Sequence, residues 1–193
     1  MAGNYDIVYV SQGPLYTKEE LLLLNKTLRN ANTKQFEPGY AKAANKKVKV
    51  YIVQWLEVKK HLKKFEDFIY SANDKFFQYD IFDISDFNSI NVNEYNTKYN
   101  SYDWHIDCSS YGSKEDIKLT CLLNISTESY SGCKLHLDGM SDIDEKGQEI
   151  IFKDFNIPGY VLLFTSYRRH KVEPVTNGER RTLSYWATGP AWR

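Results

Sequence analysis

Tyr102-Asp103-Trp104-His105-Ile106-Asp107, Lys118-Leu119-Thr120-Cys121-Leu122-Leu123-Asn124-Ile125-Ser126 and Arg181-Thr182-Leu183-Ser184-Tyr185-Trp186-Ala187 are short runs rich in aromatic and aliphatic residues. Runs of this length and composition, bounded by turn formers, read as β-strands. Ile81–Ile84, Ile90–Asn96, Cys133–Asp138, Glu149–Phe152, Tyr160–Phe164 and His170–Val175 continue the series. Turn signals at Ser110–Ser113, Asp138-Gly139, Lys146-Gly147, Pro158-Gly159 and Asn177-Gly178 separate them. Many short strands at this spacing predict a two-sheet sandwich or barrel. Asn177-Gly178 suits either a hairpin or a corner crossing between sheets.

Upstream the period changes. Residues before about 75 read as strand, helix, loop, strand, helix. Thr17-Lys18-Glu19-Glu20 is a capping box that opens a helix reaching about Asn30. Gln35–Lys47, with Pro38-Gly39, reads as a loop, and Val48–Val53 as a short apolar strand. A second helix is predicted from about Gln54 to Asn73. Trp55, Val58, Leu62, Phe65 and Ile69 recur three and four apart, forming one buried stripe. Lys59, Lys60, Lys63 and Lys64 project mainly from the other side and read as a solvated face. His61 reads as a solvated residue on that helix's exposed flank.

Composition narrows the function. The 193 residues carry 25 basic and 25 acidic side chains, so no net basic charge draws in nucleic acid. The longest Leu run, Leu21–Leu24, falls far short of the ~20 residues of a membrane span. The opening MAGNYDIVYV lacks the charged and apolar regions of a secretory signal. Cys108, Cys121 and Cys133 make no CxxC pair, and with His136 they match no usual structural zinc spacing. These features predict reduced thiols and a cytoplasmic protein.

The chemistry-bearing residues lie in the β-rich part. Of the 4 histidines, two stand in HxD pairs: His105 with Asp107, and His136 with Asp138. Residues two apart on a strand share a face, so either pair could offer an imidazole and a carboxylate to one ion. A second histidine from a distant strand, with His170 the natural choice, would complete a 2-His-1-carboxylate face. Such a face leaves positions open and suits non-haem Fe(II). After His170, Arg180 and Thr182 share one strand face, a guanidinium fork beside a hydroxyl that can hold a carboxylate. Arg181 points the other way and reads as structural or exposed.

The flanking sequence separates the two HxD pairs. Tyr102–Asp107, Lys118–Ser126, Tyr130-Ser131-Gly132-Cys133-Lys134-Leu135, Pro158–Phe164, His170-Lys171-Val172 and Gly178-Glu179-Arg180 through Trp186 together resemble iron- and 2-oxoglutarate-dependent oxygenases. The group they resemble is that of the prolyl 4-hydroxylase-like, PKHD-type enzymes. Val53–Leu56 and Asn73–Asp83 extend the likeness, so it runs from about residue 48 to the end. The resemblance selects His105 over His136, because the Tyr130–Leu135 motif normally follows the HxD strand.

The resemblance implies a mainly β fold with flanking α: a double-stranded β-helix, or jelly roll, with the N-terminal helices packed outside. Residues 1–193 would form one dioxygenase domain, with 1–79 as support and 80–193 as the jelly-roll core. His105, Asp107 and His170 would ligate Fe(II). Arg180, assisted by Thr182, would hold the distal carboxylate of 2-oxoglutarate. Tyr95 would line the cosubstrate pocket, and Asn124 occupies a position from which relatives reach toward that carboxylate. Three departures stand out: Asn124 is short, Asn91 stands where a Gln is common, and Cys133 replaces the second of two glycines.

The implied reaction is hydroxylation of a prolyl or related substrate, peptide or small molecule. It would consume O2 and 2-oxoglutarate, release succinate and CO2, and could use ascorbate as reductant. Substrate choice would fall to the loops Gln35–Lys47, Cys108–Asp116 and Asp138–Gly147. A jelly-roll binding module with a non-catalytic metal site is the alternative from another class, and loss of a ligand or of the anchoring cation would mark it. A nucleic-acid-modifying oxygenase is a further rival, and the neutral charge argues against it.

Overall fold

The strands expected in the second half pack as two antiparallel sheets, numbered here β1–β13 in chain order. A computed structural model describes residues 8–31, 34–36, 47–98, 101–107, 114–139 and 148–192. The larger sheet runs β1 (Tyr9–Gln12), β10 (Val161–Thr165), β6 (Glu115–Asn124), β13 (Arg180–Pro190), β4 (Ser89–Tyr95), β3 (Lys49–Gln54), β2 (Lys34–Phe36). The smaller runs β5 (Tyr102–His105), β11 (His170–Val172), β8 (Leu135–Gly139), β9 (Gln148–Phe152), and a short pair joins β7 (Ser131–Gly132) to β12 (Val175–Asn177). This is the expected jelly roll.

Strand parity sorts the side chains into two cores. On β6, β10 and β13, Leu119, Cys121, Leu123, Val161, Leu163, Leu183 and Tyr185 turn toward the helices. Leu122, Leu162 and Phe164 turn the other way and meet Leu135, Leu137 and Val172 of the smaller sheet. Both faces of these strands are therefore buried, which explains why their sequences read as nearly continuous apolar runs.

The helices cover the outer face of the larger sheet. In α1 (Lys18–Asn30) Thr17 caps the helix, and the Glu20 carboxylate accepts a hydrogen bond from the Thr17 amide at 2.9 Å. In α2 (Trp55–Ala72) the whole predicted stripe is buried, and Tyr16 Oη accepts a hydrogen bond from the Phe65 amide at 3.0 Å. The four lysines of the opposite face are exposed; Lys59 pairs with Asp86 at 2.8 Å and Lys64 with Glu20 at 2.6 Å. Exposed pairs of this kind add little stability. Phe65→Ala is expected to cost about 3–5 kcal/mol, because its ring is fully enclosed and the void cannot refill. A fall in the urea midpoint with an unchanged m value would show it.

Several expectations need correction. Ile81–Ile84 forms no strand. The Phe82 amide donates to the Thr188 carbonyl at 2.8 Å and the Ile84 amide to Tyr70 Oη at 2.7 Å, so no neighbouring ladder engages the segment. The second helix does not stop at Asn73 but continues as a π-helical turn over Asn73–Phe77, closed by Gln78 at φ 56°. His61 is half-buried: its Nε2 lies 2.9 Å from Thr27 Oγ1, tying α2 to α1. The predicted loop Gln35–Lys47 begins inside β2, and its residues 37–46 lie outside the described ones. Asn177-Gly178 proves to be a corner, since β12 pairs with β7 while β13 pairs with β4 and β6.

Candidate active site

Between the two sheets lies a cleft of about 440 Å³, open to solvent at its mouth. Alternation along β13 builds one wall. Arg180, Thr182, Ser184 and Trp186 face the cleft, while Leu183 and Tyr185 face the helices. The opposite wall carries His105 and His170, direct partners across the β5–β11 pair.

His105, Asp107 and His170 converge here. One ligand atom from each lies within 4.8 Å of the others, and they form the one such group found among the described residues. His105 Nε2 is 3.8 Å from Asp107 Oδ1, and His170 Nε2 is 3.5 Å from Asp107 Oδ2. Asp107 does not sit on the strand, as the HxD reading expected, because β5 ends at His105. Its backbone amide instead bonds the Ser166 carbonyl at 3.1 Å, which turns the carboxylate back beneath the two rings.

Both imidazoles are set in the same tautomer. His105 Nδ1 lies 2.7 Å from the Asp103 carbonyl and His170 Nδ1 lies 3.1 Å from the Arg168 carbonyl. A carbonyl only accepts, so each Nδ1 carries the proton and each Nε2 keeps a lone pair for a metal. Tyr102 stacks on the His105 ring at 3.5 Å between centroids, fixing its plane. Burial and the nearby Asp107 carboxylate push the Tyr102 phenol up to about 12, so it stays neutral beside the ligand.

Thr120 was not singled out from the sequence, yet its hydroxyl donates to Asp107 Oδ2 at 2.7 Å. The near-continuous apolar run of β6 hides which residues face inward. Thr120→Val is expected to weaken Fe(II) binding about 10–100-fold while leaving the fold intact, as loss of a partner to a ligand does. Titration of the apoprotein with Fe(II) under anaerobic conditions measures it.

Arg180 is 1% exposed, an extreme burial for a guanidinium. The rings of Tyr95 and Phe155 lie 5.4 and 5.1 Å from it. Among the described residues neither Arg180 Nε nor Thr182 Oγ1 has a hydrogen-bond partner. A buried guanidinium Nε and a buried hydroxyl left without partners in a cleft call for an acceptor, and the positive charge favours an anion. A dicarboxylate such as 2-oxoglutarate fits that need. Two imidazoles and one carboxylate, with open positions facing the cleft, fit Fe(II). Tyr95 lines the cleft as expected, and burial raises its phenol well above the ordinary tyrosine value.

Other candidates fall elsewhere. Asn124 does not line the cleft. Its amide donates to Tyr130 Oη at 3.0 Å and to the Phe155 carbonyl at 2.8 Å, and its Oδ1 accepts from the Ser126 amide at 3.0 Å, so nothing remains to reach a cosubstrate. His136 is held between Glu149 at 2.7 Å and Glu173 at 2.6 Å, away from the triad. Arg181 is buried rather than exposed, joined to Glu94 at 2.9 Å and to Asn25. Cys121 and Cys133 are free thiols in different cores, which leaves no Cys/His zinc site among the described residues; Cys108 lies outside them.

A PKHD-type hydroxylase of Synechococcus sp. (strain CC9605) is 34% identical over 88 residues, which cover 45% of this chain and 36% of that protein. The chain thus spans about a third of the length of the curated relative it matches. In fold it is similar to a prolyl-4-hydroxylase of Pseudomonas putida, with a TM-score of 0.67 at 15% identity, covering 95% of this chain and 93% of that one. A Trichoplax adhaerens prolyl hydroxylase, solved with a hypoxia inducible factor peptide fragment, gives a TM-score of 0.64 at 17% identity and covers 93% of this chain and 82% of that one. Residues 90–188, just over half the chain and the part that contributes the triad and Arg180, match the family model, and the chain belongs to the 2OG-Fe(II) oxygenase superfamily.

Proposed function

We propose that this protein is a hydroxylase that uses Fe(II), O2 and 2-oxoglutarate to oxidise a prolyl or related residue, releasing succinate and CO2. The observation that carries the reading is one cleft lined by both the His105–Asp107–His170 cluster and a buried Arg180 whose Nε has no hydrogen-bond partner among the described residues. In this reading the two Nε2 atoms and the Asp107 carboxylate hold the iron. Arg180 and Thr182 hold the distal carboxylate of 2-oxoglutarate, and Tyr95 walls the pocket. Fe(II) with 2-oxoglutarate supplies an oxidant strong enough to hydroxylate an unactivated C–H bond.

The protein's own part is placement. Donors fixed by backbone carbonyls and by Thr120 need no rearrangement when the ion enters. The cation of Arg180 orients the cosubstrate beside the metal-binding residues. Retention of every ligand and of the anchoring cation weighs against a non-catalytic binding module.

The prolyl substrate is supported by the names of the structures similar in fold, and the peptide fragment solved with the Trichoplax enzyme supports a peptide over a free amino acid. Most of the loops expected to choose the substrate, residues 108–113 and 140–147, lie outside the described residues. Residues 1–193 act as one catalytic unit in this proposal, since α1 and α2 share a core with β6, β10 and β13. Two buried free thiols suit a reducing, cytosolic setting, and among the described residues no helix is long and apolar enough to cross a membrane.

The test is to load the protein anaerobically with Fe(II), add 2-oxoglutarate and look for a weak visible charge-transfer band. O2 is then admitted, and succinate and the mass of proline-containing peptides are followed. A band, succinate and a gain of one oxygen on peptide would support the proposal. Neither band nor succinate would refute it, and succinate coupled only to a non-prolyl compound would refute its substrate.

A further inference from the structure

The guanidinium of Arg180 is held on several sides. The Tyr95 and Phe155 rings constrain its plane but leave it able to turn within that plane. Cys133 and Tyr130 oppose that turn: the Cys133 carbonyl accepts from Arg180 Nη1 at 3.2 Å, its Sγ lies 3.4 Å from the same nitrogen, and the Tyr130 hydroxyl also engages the guanidinium.

Cys133 holds this position in an unusual backbone state. Its φ is 56°, and only Gln78 shares a positive φ among the described non-glycine residues. A β-carbon disfavours the left-handed region, where glycine is the usual occupant. Gly132, just before it, is at φ 76°, and a β-carbon there would come within 2.4 Å of the Pro174 carbonyl, so the tight turn itself requires glycine only at 132. At 133 the chain keeps a side chain in spite of the backbone cost, and that side chain meets the anchoring cation. Cys133 is fully buried and does not line the cleft, so it touches Arg180 without being placed to touch a ligand there.

We propose, resting on the cosubstrate role given to Arg180 above, that Cys133 is a positioning residue. By engaging Nη1 from behind, it keeps the Nε side of the fork turned toward the cleft. There Nε and Thr182 Oγ1 stand ready as a preset pair of donors for one carboxylate. In a guanidinium the nitrogens are rigidly coplanar, so holding one terminal nitrogen sets the direction of the others. Burial pushes the Cys133 thiol up against the pull of Arg180, so the sulfur acts as a neutral weak acceptor and a steric stop.

Cys133→Ala and Cys133→Ser separate the sulfur's contact from the backbone, because both leave the same β-carbon at the same φ. Cys133→Gly supplies a variant whose backbone suits the turn, should either of these fold poorly. Each protein is loaded with Mn(II), which prevents turnover, and 2-oxoglutarate is titrated in by calorimetry. The Ala and Gly variants are expected to bind it about three- to ten-fold more weakly, the effect of one lost hydrogen bond. The Ser variant, which keeps an acceptor, should stay within about two-fold. Mn(II) affinity should not change, and in separate Fe(II)-loaded samples the loss of affinity should appear in the KM for 2-oxoglutarate rather than in kcat.

Ala and Gly variants that bind 2-oxoglutarate as tightly as the wild type would overturn the role of Cys133 while leaving the oxygenase reading intact. A matching fall in Mn(II) affinity would also overturn it, by showing a general disturbance of the site. Failure of the wild type itself to bind 2-oxoglutarate would overturn the oxygenase reading and this inference together.

Discussion

His105→Ala is expected to fold but to lose Fe(II) and all succinate formation. Among the described residues three donors would grip the ion, and removing one leaves an imidazole and a carboxylate. The loss in metal affinity should exceed the roughly 10–100-fold that follows from changing only a ligand's supporting partner. Little structural penalty accompanies it, because His105 lies at the cleft wall and not in either apolar core. His136→Ala is the matched control. That ring also belongs to an HxD pair, but both of its nitrogens are engaged by Glu149 and Glu173 across neighbouring strands. Its loss should lower the melting temperature and spare iron. Anaerobic Fe(II) titration of both variants decides the matter, and iron retained by His105→Ala but lost by His136→Ala would mean that the wrong pair has been assigned.

Arg180→Ala should raise the Kd for 2-oxoglutarate by about 30-fold or more, since truncating one partner of a buried, hydrogen-bonded charge pair costs about 2–5 kcal/mol. Metal affinity should stay near the wild-type value, because no triad atom depends on the guanidinium. Arg180→Lys keeps a charge but loses the planar fork, so it should fall between the two. Arg181→Ala should behave in the opposite way. Its guanidinium joins Glu94 to Asn25, whose side chain also donates to the Leu21 and Ile125 carbonyls, so the variant loses stability rather than cosubstrate. Calorimetric titration of 2-oxoglutarate, paired with thermal melts, separates the neighbours. Equal loss of 2-oxoglutarate affinity in both variants would remove Arg180 from its assigned role.

Features governed by local chemistry were legible in the sequence. Thr17 and Glu20 form their capping box, and Trp55 through Ile69 are buried as their period demands. Flanking sequence sufficed to prefer His105 over His136. What escaped the reading depends on atoms distant along the chain. Ile81–Ile84 has strand composition, yet its amides meet a Tyr70 hydroxyl and the end of β13 where no neighbouring strand is free. Asn124 occupies a register opposite Thr182, as a cosubstrate ligand there would, but the Phe155 carbonyl and Tyr130 claim its amide. Thr120 went unnoticed because both faces of β6 are buried, and an apolar run then carries no visible parity.

The two-sided character of β13 makes its length as constrained as its composition. Deleting or inserting one residue between Gly178 and Arg180 would exchange the faces of everything downstream. The strand's cationic and hydroxylic members would be driven among the helix-packed hydrocarbons, while leucine and tyrosine would be swung into the cleft. Folding and diacid capture would fail in a single step, so a frame shift here cannot be a gradual lesion. Mutational scans should therefore find this stretch intolerant of indels.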